Sequence, residues 1–206
     1  MTKLLIVLSA ADTWTRADGS KYQSGVWAEE FVVMDEKFVA AGCAVDIATP
    51  GGIPPTIDPH SMNPEVVGQA SVNHFRAYLD RIADRLAKPL VLADVATADY
   101  DAIVIPGGHG PDDGSWPFAG RRMTSFSDEE EIELGTADNA PWLLAKTLRD
   151  MGAAYEKGPN WGPYVVTDGN LMTGQNPASS APLADAVLAA LHLGGQANEQ
   201  PDLATA

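Results

Sequence analysis

The sequence has 206 residues, 45% of them hydrophobic and 20% charged, enough for one sizeable core and too apolar for a disordered chain. A net charge of −15, from 13 basic and 28 acidic residues, favours solubility and argues against nucleic acid or an anionic membrane surface as partner. No apolar stretch approaches the ~18–20 residues that span a bilayer, and the single cysteine, Cys43, excludes an intramolecular disulfide and suits a reducing, cytoplasmic compartment.

Lys3–Ser9 is a short apolar run of the buried parallel-strand type, and it reads as a first strand rather than a signal peptide. Asp12 to Ser24 is a polar loop with an Asp18-Gly19 turn. Val26 to Ala41 reads as a helix, because Trp27, Phe31, Met34 and Phe38 share one face at spacings of four, three and four. Gly42 is placed to end it in the left-handed conformation. Ala44–Ala48 is the next strand, and strand-helix-strand implies a right-handed crossover and a parallel sheet.

A Pro-rich loop, Ile53 to Pro64, leads into a helical pattern from Glu65 to Leu86 that stops at Lys88-Pro89. Asp101–Pro106 is a further buried strand, followed by loop residues to Gly120. Arg122–Phe126 reads as a short strand, and the acidic run Asp128–Glu133 as a solvated helix start. Pro141–Met151 is a helix ending near Gly152. Tyr164–Thr167 and Asn170–Thr173 flank Asp168-Gly169, a hairpin signal. Ser180–Leu193 is the last helix. Residues 1–193 read as one domain and 194–206 as a loose tail.

The chemistry-bearing candidates cluster at two places. Gly107-Gly108-His109-Gly110 sits at the carboxyl end of a parallel strand, where open α/β sheets bind ligands. Glycines there let backbone N–H groups converge on an oxyanion; the alternative is a plain tight turn. No Gly-Lys-Ser/Thr follows, so the turn is not a phosphate loop. Glu29-Glu30 lies in the first turns of the first helix and faces the same crevice in a doubly wound fold. One of the two is a candidate general base, against an ordinary solvated pair. Cys43, just before a strand at the opposite end, reads as a small buried hydrophobe. His60, His74, His109 and His192 show no zinc spacing, so no metal is expected.

These segments, taken in order, resemble the ThiJ/PfpI superfamily, also described as class I glutamine-amidotransferase-like, and within it the chaperone and glyoxalase III branch. The matching stretches run Gly25–Glu30, Ala41–Gly52, Asp99–Pro111, Phe118–Thr124 with the acidic run, and Asp168–Ser179. The resemblance implies a flavodoxin-like α/β fold, an open and mostly parallel sheet flanked by helices. It implies Glu30, rather than Glu29, as the catalytic acid, an oxyanion site at Gly107, Gly108 and His109, and no cofactor. Methylglyoxal and similar small carbonyl compounds, or unfolded clients, are the implied partners, and a homodimer the implied assembly.

The family also carries a cysteine on a strand-to-helix elbow followed by a histidine. Between Pro111 and Asp113 the corresponding helix, strand and elbow are absent. Typical element lengths put the gap at roughly 40 residues, which leaves the sheet one strand short. The expectation is therefore a family member impaired in cysteine-dependent glyoxalase III or deglycase chemistry, with a binding or chaperone-like role. The alternatives are a cofactor-free enzyme working through Glu30 and His109, or an unrelated small-molecule binding module. Loss of an interior strand also predicts lower stability or stronger association.

Overall fold

In a computed structural model, which describes residues 1–107 and 118–193, the chain forms β1 (Lys3–Val7), β2 (Thr13–Thr15), β3 (Lys21–Gln23), α1 (Ala28–Ala40), β4 (Ala44–Thr49), α2 (Pro64–Val67), α3 (Gln69–Arg81) and α4 (Ala83–Ala87). Next come β5 (Leu90–Val91), β6 (Ala102–Val104), β7 (Arg122–Met123), α5 (Asp128–Leu134), α6 (Leu144–Asp150), β8 (Ala154–Tyr155), β9 (Val165–Asp168), β10 (Leu171–Gly174) and α7 (Ser180–Ala190). The main sheet is parallel throughout, in the order β5-β4-β1-β6. The expected mixed α/β architecture, a parallel sheet with helices against it, is what forms.

β1 lies inside this sheet and pairs on both sides. Leu4 and Ile6 stand opposite Val45 and Ile47 on β4, and opposite Ala102 and Val104 on β6. Leu4, Ile6 and Val104 point to one face and join the main core with Phe31, Met34 and Phe38 of α1 and Leu188 of α7. Burying each such side chain stabilises by roughly 1.5–3 kcal/mol. The other face differs at β6. Ile103 is 44% and Ile105 66% exposed, although parallel sheets are ordinarily covered on both faces. An uncovered pair of isoleucines is the surface expected where a crossover element is lacking.

Gly42 ends α1 at φ +80° as expected. Several boundaries differ from the sequence reading. The polar loop 12–24 folds as an antiparallel hairpin, with Trp14 opposite Tyr22, because alternating aromatic residues favour a pleated pair. The single helix expected over 65–86 is three, broken at Gly68 (φ 83°, ψ 146°) and Ile82; a helix cannot continue through the glycine's conformation. β5 and β8 are two residues each, too short for any periodicity to reveal. The expected strand at 122–126 stops at Met123, pairing in parallel with β8. The β9–β10 hairpin forms around Asp168-Gly169.

A buried ion pair ties the helices behind the sheet. Asp35 on α1 is fully buried. It accepts two hydrogen bonds from Arg85 at 2.8 and 3.0 Å and one from the Tyr78 hydroxyl at 2.5 Å. Arg85 also donates to the carbonyl of Val45 at 3.0 Å. α3, α4, α1 and β4 thus share one charge-assisted network, the condition under which a buried carboxylate is tolerated.

Candidate functional site

The crevice lies at the carboxyl ends of β1 and β6, where α1 begins. Its position depends on Gly25. A Cβ there would approach the Thr56 carbonyl oxygen to 2.3 Å and the Asp58 nitrogen to 2.8 Å, so only glycine lets the chain run against 56–58. Val26 then donates to Thr56 at 2.8 Å and accepts from Asp58 at 2.9 Å. Two residues on, the Ala28 amide donates to the buried Ser61 hydroxyl at 3.0 Å, satisfying a helix-start N–H that no intrahelical carbonyl can reach. The first turn of α1 is therefore fixed from outside.

Trp27 is the N-cap and Glu30 the third helical residue. The backbone amide of Gly107, just past β6, donates to the Glu30 carboxylate. A Cβ on Gly107 would lie 3.4 Å from its Oε2, an ordinary contact; it is the backbone conformation, φ +62°, that selects glycine. Glu30 keeps some accessible surface, yet its carboxyl end is enclosed enough that burial pushes its pKa up to about 7. The Gly107 bond opposes that rise and the nearby Glu29 charge adds to it. Burial also raises Glu29. An acid titrating near neutrality, beside an N–H donor at a strand end, can accept or deliver a proton.

Of the expected site residues, the structure brings Glu30 and Gly107 together; Gly108 and His109 lie outside the described residues. Cys43 is buried, 8% exposed, just ahead of β4. β1, β4 and β6 run parallel, so Cys43 is at the opposite end of the sheet from Gly107. Burial, then the charge of Asp101, raise its thiol pKa, the reverse of what a nucleophile needs. His74 contacts Glu36 at 2.8 Å, and the His60 ring contacts the Tyr22 hydroxyl at 2.7 Å.

One acid of the run expected to be solvated is buried. Glu130 on α5 is fully buried. Its Oε2 accepts from the Ser127 amide (3.0 Å) and hydroxyl (2.8 Å), and its Oε1 from the Trp161 amide (2.8 Å), Gln175 (3.1 Å) and Asn176 (2.7 Å). Burial alone would raise its pKa, but these donors together hold it below the usual carboxylate value. The spacing Ser127-x-x-Glu130 is a capping box, a pattern legible in the sequence.

Open parallel α/β sheets hold ligands in the crevice outside the carboxyl ends of their strands, and Glu30 and Gly107 meet at that place. No family model matches the chain. Glyoxalase 3 of Candida albicans is 25% identical over 238 aligned residues, covering 92% of this chain and 98% of that protein. The crystal structure of that glyoxalase III superposes with a TM-score of 0.71, at 23% identity over 92% of this chain and 97% of its own. Rapid Encystment Protein 24 kDa of Francisella tularensis superposes at 0.78, with 24% identity and coverage of 93% and 99%. A ThiJ/PfpI domain protein from Brachyspira murdochii superposes at 0.51, with 16% identity and coverage of 92% and 96%. The likeness to the Candida protein supports the ThiJ/PfpI superfamily and its glyoxalase III branch for this chain, and the solved structures support the fold.

Proposed function

We propose that this protein keeps the family's small-carbonyl crevice but lacks its nucleophile, so that it binds compounds such as methylglyoxal and is impaired in cysteine-dependent glyoxalase III or deglycase chemistry. The observation that carries this reading is the placement of the one cysteine in the sequence, buried at the far end of the sheet from Glu30 and Gly107. Two further observations support it. First, 92% of 206 residues, about 190, are spread over the 238 aligned positions of the Candida relative, the imbalance expected if that protein carries a segment this one lacks. Second, Ile103 and Ile105 are uncovered beside the turn where the segment would begin. The same exposed pair favours self-association or the holding of unfolded clients. Packing of α7 against α1 supports residues 1–193 as one domain, and its single cysteine suits a reducing, cytoplasmic setting; among the described residues no helix is long and apolar enough to cross a membrane.

The test is methylglyoxal consumption, with lactate detected, by purified protein without glutathione or added metal. The expected result is turnover no greater than in a mock purification, from a sample shown to be folded. Robust lactate production would overturn the impairment. The raised pKa of Glu30 favours a second reading for that case, proton abstraction by Glu30 through an enediol without covalent catalysis. Turnover abolished in Glu30→Gln would establish it, and turnover that survives the substitution would exclude it.

A further inference from the structure

α1 begins at a residue whose side chain cannot cap it. Helix starts leave amides without intrahelical partners, and a serine, threonine, aspartate or asparagine at the N-cap ordinarily satisfies one of them. α5 follows that rule through Ser127 and α2 through Asn63. α1 has Trp27 at its N-cap and no cap bond from that side chain. Its opening bond, from the Phe31 amide to the Trp27 carbonyl, is long at 3.3 Å. The cap comes instead from 33 positions away: the Ala28 amide donates to the Ser61 hydroxyl at 3.0 Å. Ser61 is fully buried, and its hydroxyl in turn donates to the Asp58 carbonyl at 2.6 Å. The Asp58 carboxylate is engaged elsewhere, accepting from the His60 amide at 2.8 Å and the Ser24 hydroxyl at 3.2 Å.

We propose that Ser61 is a positioning residue for Glu30, holding the first turn of α1 so that the Glu30 carboxyl meets the Gly107 amide. The way the surrounding bonds are shared out supports this role. Val26 is already joined to residues 56–58 by two backbone bonds, so that attachment does not need Ser61. Past Trp27, where the chain turns into the helix, the Ser61 hydroxyl carries the tie on into α1. Glu30 stands two residues beyond Ala28, inside the same turn. Without the hydroxyl, a buried amide is left without a partner, and the turn relieves this by fraying and admitting water. A frayed first turn draws Glu30 away from Gly107. Glu29, whose charge acts on Glu30, rides on the same turn and moves with it.

The role of Ser61 rests on the crevice reading above, and one titration separates the two. The Glu30 carboxyl carbon is followed by NMR in protein carrying isotope-labelled glutamate, and is assigned by its absence from Glu30→Gln. In the wild type it should titrate at about 7, with the Gly107 amide moving at the same midpoint. In Ser61→Ala, hydration of the frayed turn should lower the midpoint towards an ordinary 4.5 and uncouple Gly107 from it. Ser179→Ala is the control for a merely structural loss. Ser179 is also buried, and its hydroxyl bonds the amide and the carbonyl of Tyr164, both at 3.1 Å; its removal should leave the Glu30 midpoint where it is. An unchanged midpoint in Ser61→Ala, or an equal fall in Ser179→Ala, overturns the positioning role and leaves the crevice standing. If Ser61→Ala does not fold, amide exchange in the wild type decides. Ala28 should exchange as slowly as amides inside α1, and rapid exchange there overturns the role. A wild-type Glu30 that titrates at an ordinary carboxylate value overturns both.

Discussion

Glu30 and Glu130 occupy the same local position, third residue of a helix, three after the N-cap, and they titrate in opposite directions. Glu130 has five donors arranged around two oxygens. Glu30 has the Gly107 amide as its donor among the described residues, with the Glu29 charge nearby. Both are taken from water; the number of donors that replace the water decides the sign. A carboxylate wrapped in N–H and O–H groups is a structural tie, here binding α5, the 158–162 loop and the residues after β10. A carboxyl enclosed with few donors stays close to neutral and keeps its proton available. The protein thus holds, in its two halves, a buried acid tied down by donors and one whose pKa burial raises.

Removing the fastener should have the largest effect. Glu130→Ala strands the Trp161 and Ser127 amides and the Gln175 and Asn176 side chains at one buried point, at a cost of roughly 3–5 kcal/mol. Urea unfolding should show it as a large fall in midpoint. A loss under about 1 kcal/mol would mean that water replaces the carboxylate and that the contrast with Glu30 is overdrawn.

The pH dependence of stability tests both acids together. Glu30 is raised in the folded state to about 7 from an ordinary 4.5. Between those values the folded form holds a proton that the unfolded chain has released. Stability is therefore fully present below about 4.5 and falls as pH rises through 7, by on the order of 3 kcal/mol. Glu130 is depressed, so its contribution is present above 4.5 and is lost as pH falls through its folded value. The curve should peak on the acid side of neutrality. Glu30→Gln should flatten its alkaline limb while leaving the acid limb intact, as followed by thermal melts from pH 4 to 8. An unchanged alkaline limb would show that Glu30 is ionised and solvated.

A smaller effect is expected at the uncovered face of β6. Ile105→Lys places a charge at a position already 66% exposed, so stability should move by no more than about 0.5 kcal/mol. Self-association should weaken, as measured by light scattering across a concentration series. Identical masses for both proteins at every concentration would show that this face takes no part in assembly.

Much of this fold was legible because it depends on long-range rules with local signatures. The apolar runs at 3–9, 44–48 and 101–106 could only be buried parallel strands once a helix of period 3.6 stood between the first two. The turns at Gly42 and Asp168-Gly169 followed from backbone sterics. Glu30 and Gly107 are legible as candidates because the strand ends of such a sheet form its crevice, and the structure places them side by side. The features without a local signature are decided by tertiary contact. β5 and β8 exist because a partner strand is there. Gly68 breaks a helix whose apolar pattern runs straight through it. Trp27 shares the helical spacing of Phe31, Met34 and Phe38, yet it is the N-cap of α1, in extended backbone, and not a helical residue. Glu130 was read as part of a charge run, although the serine three residues earlier marked it as a capping partner.

The smallest expected effect is at Cys43, and it bears most directly on mechanism. The thiol is buried next to Gly42, with its pKa raised, so it packs as a small apolar group. Cys43→Ala deletes one sulfur from a site at the core margin and should cost about 1 kcal/mol or less. It should leave any methylglyoxal turnover unchanged. Labelling with a thiol reagent should be slow in the native protein and should become fast on unfolding. If the alanine variant instead abolishes a measurable activity, the thiol must reach the crevice in a conformation that the parallel sheet does not contain, or come from a second copy whose Cys43 end abuts the Gly107 turn. Those two cases separate by mixing the Cys43→Ala and Glu30→Gln proteins, since activity restored in the mixture requires a shared site and activity that stays absent requires a rearranged chain.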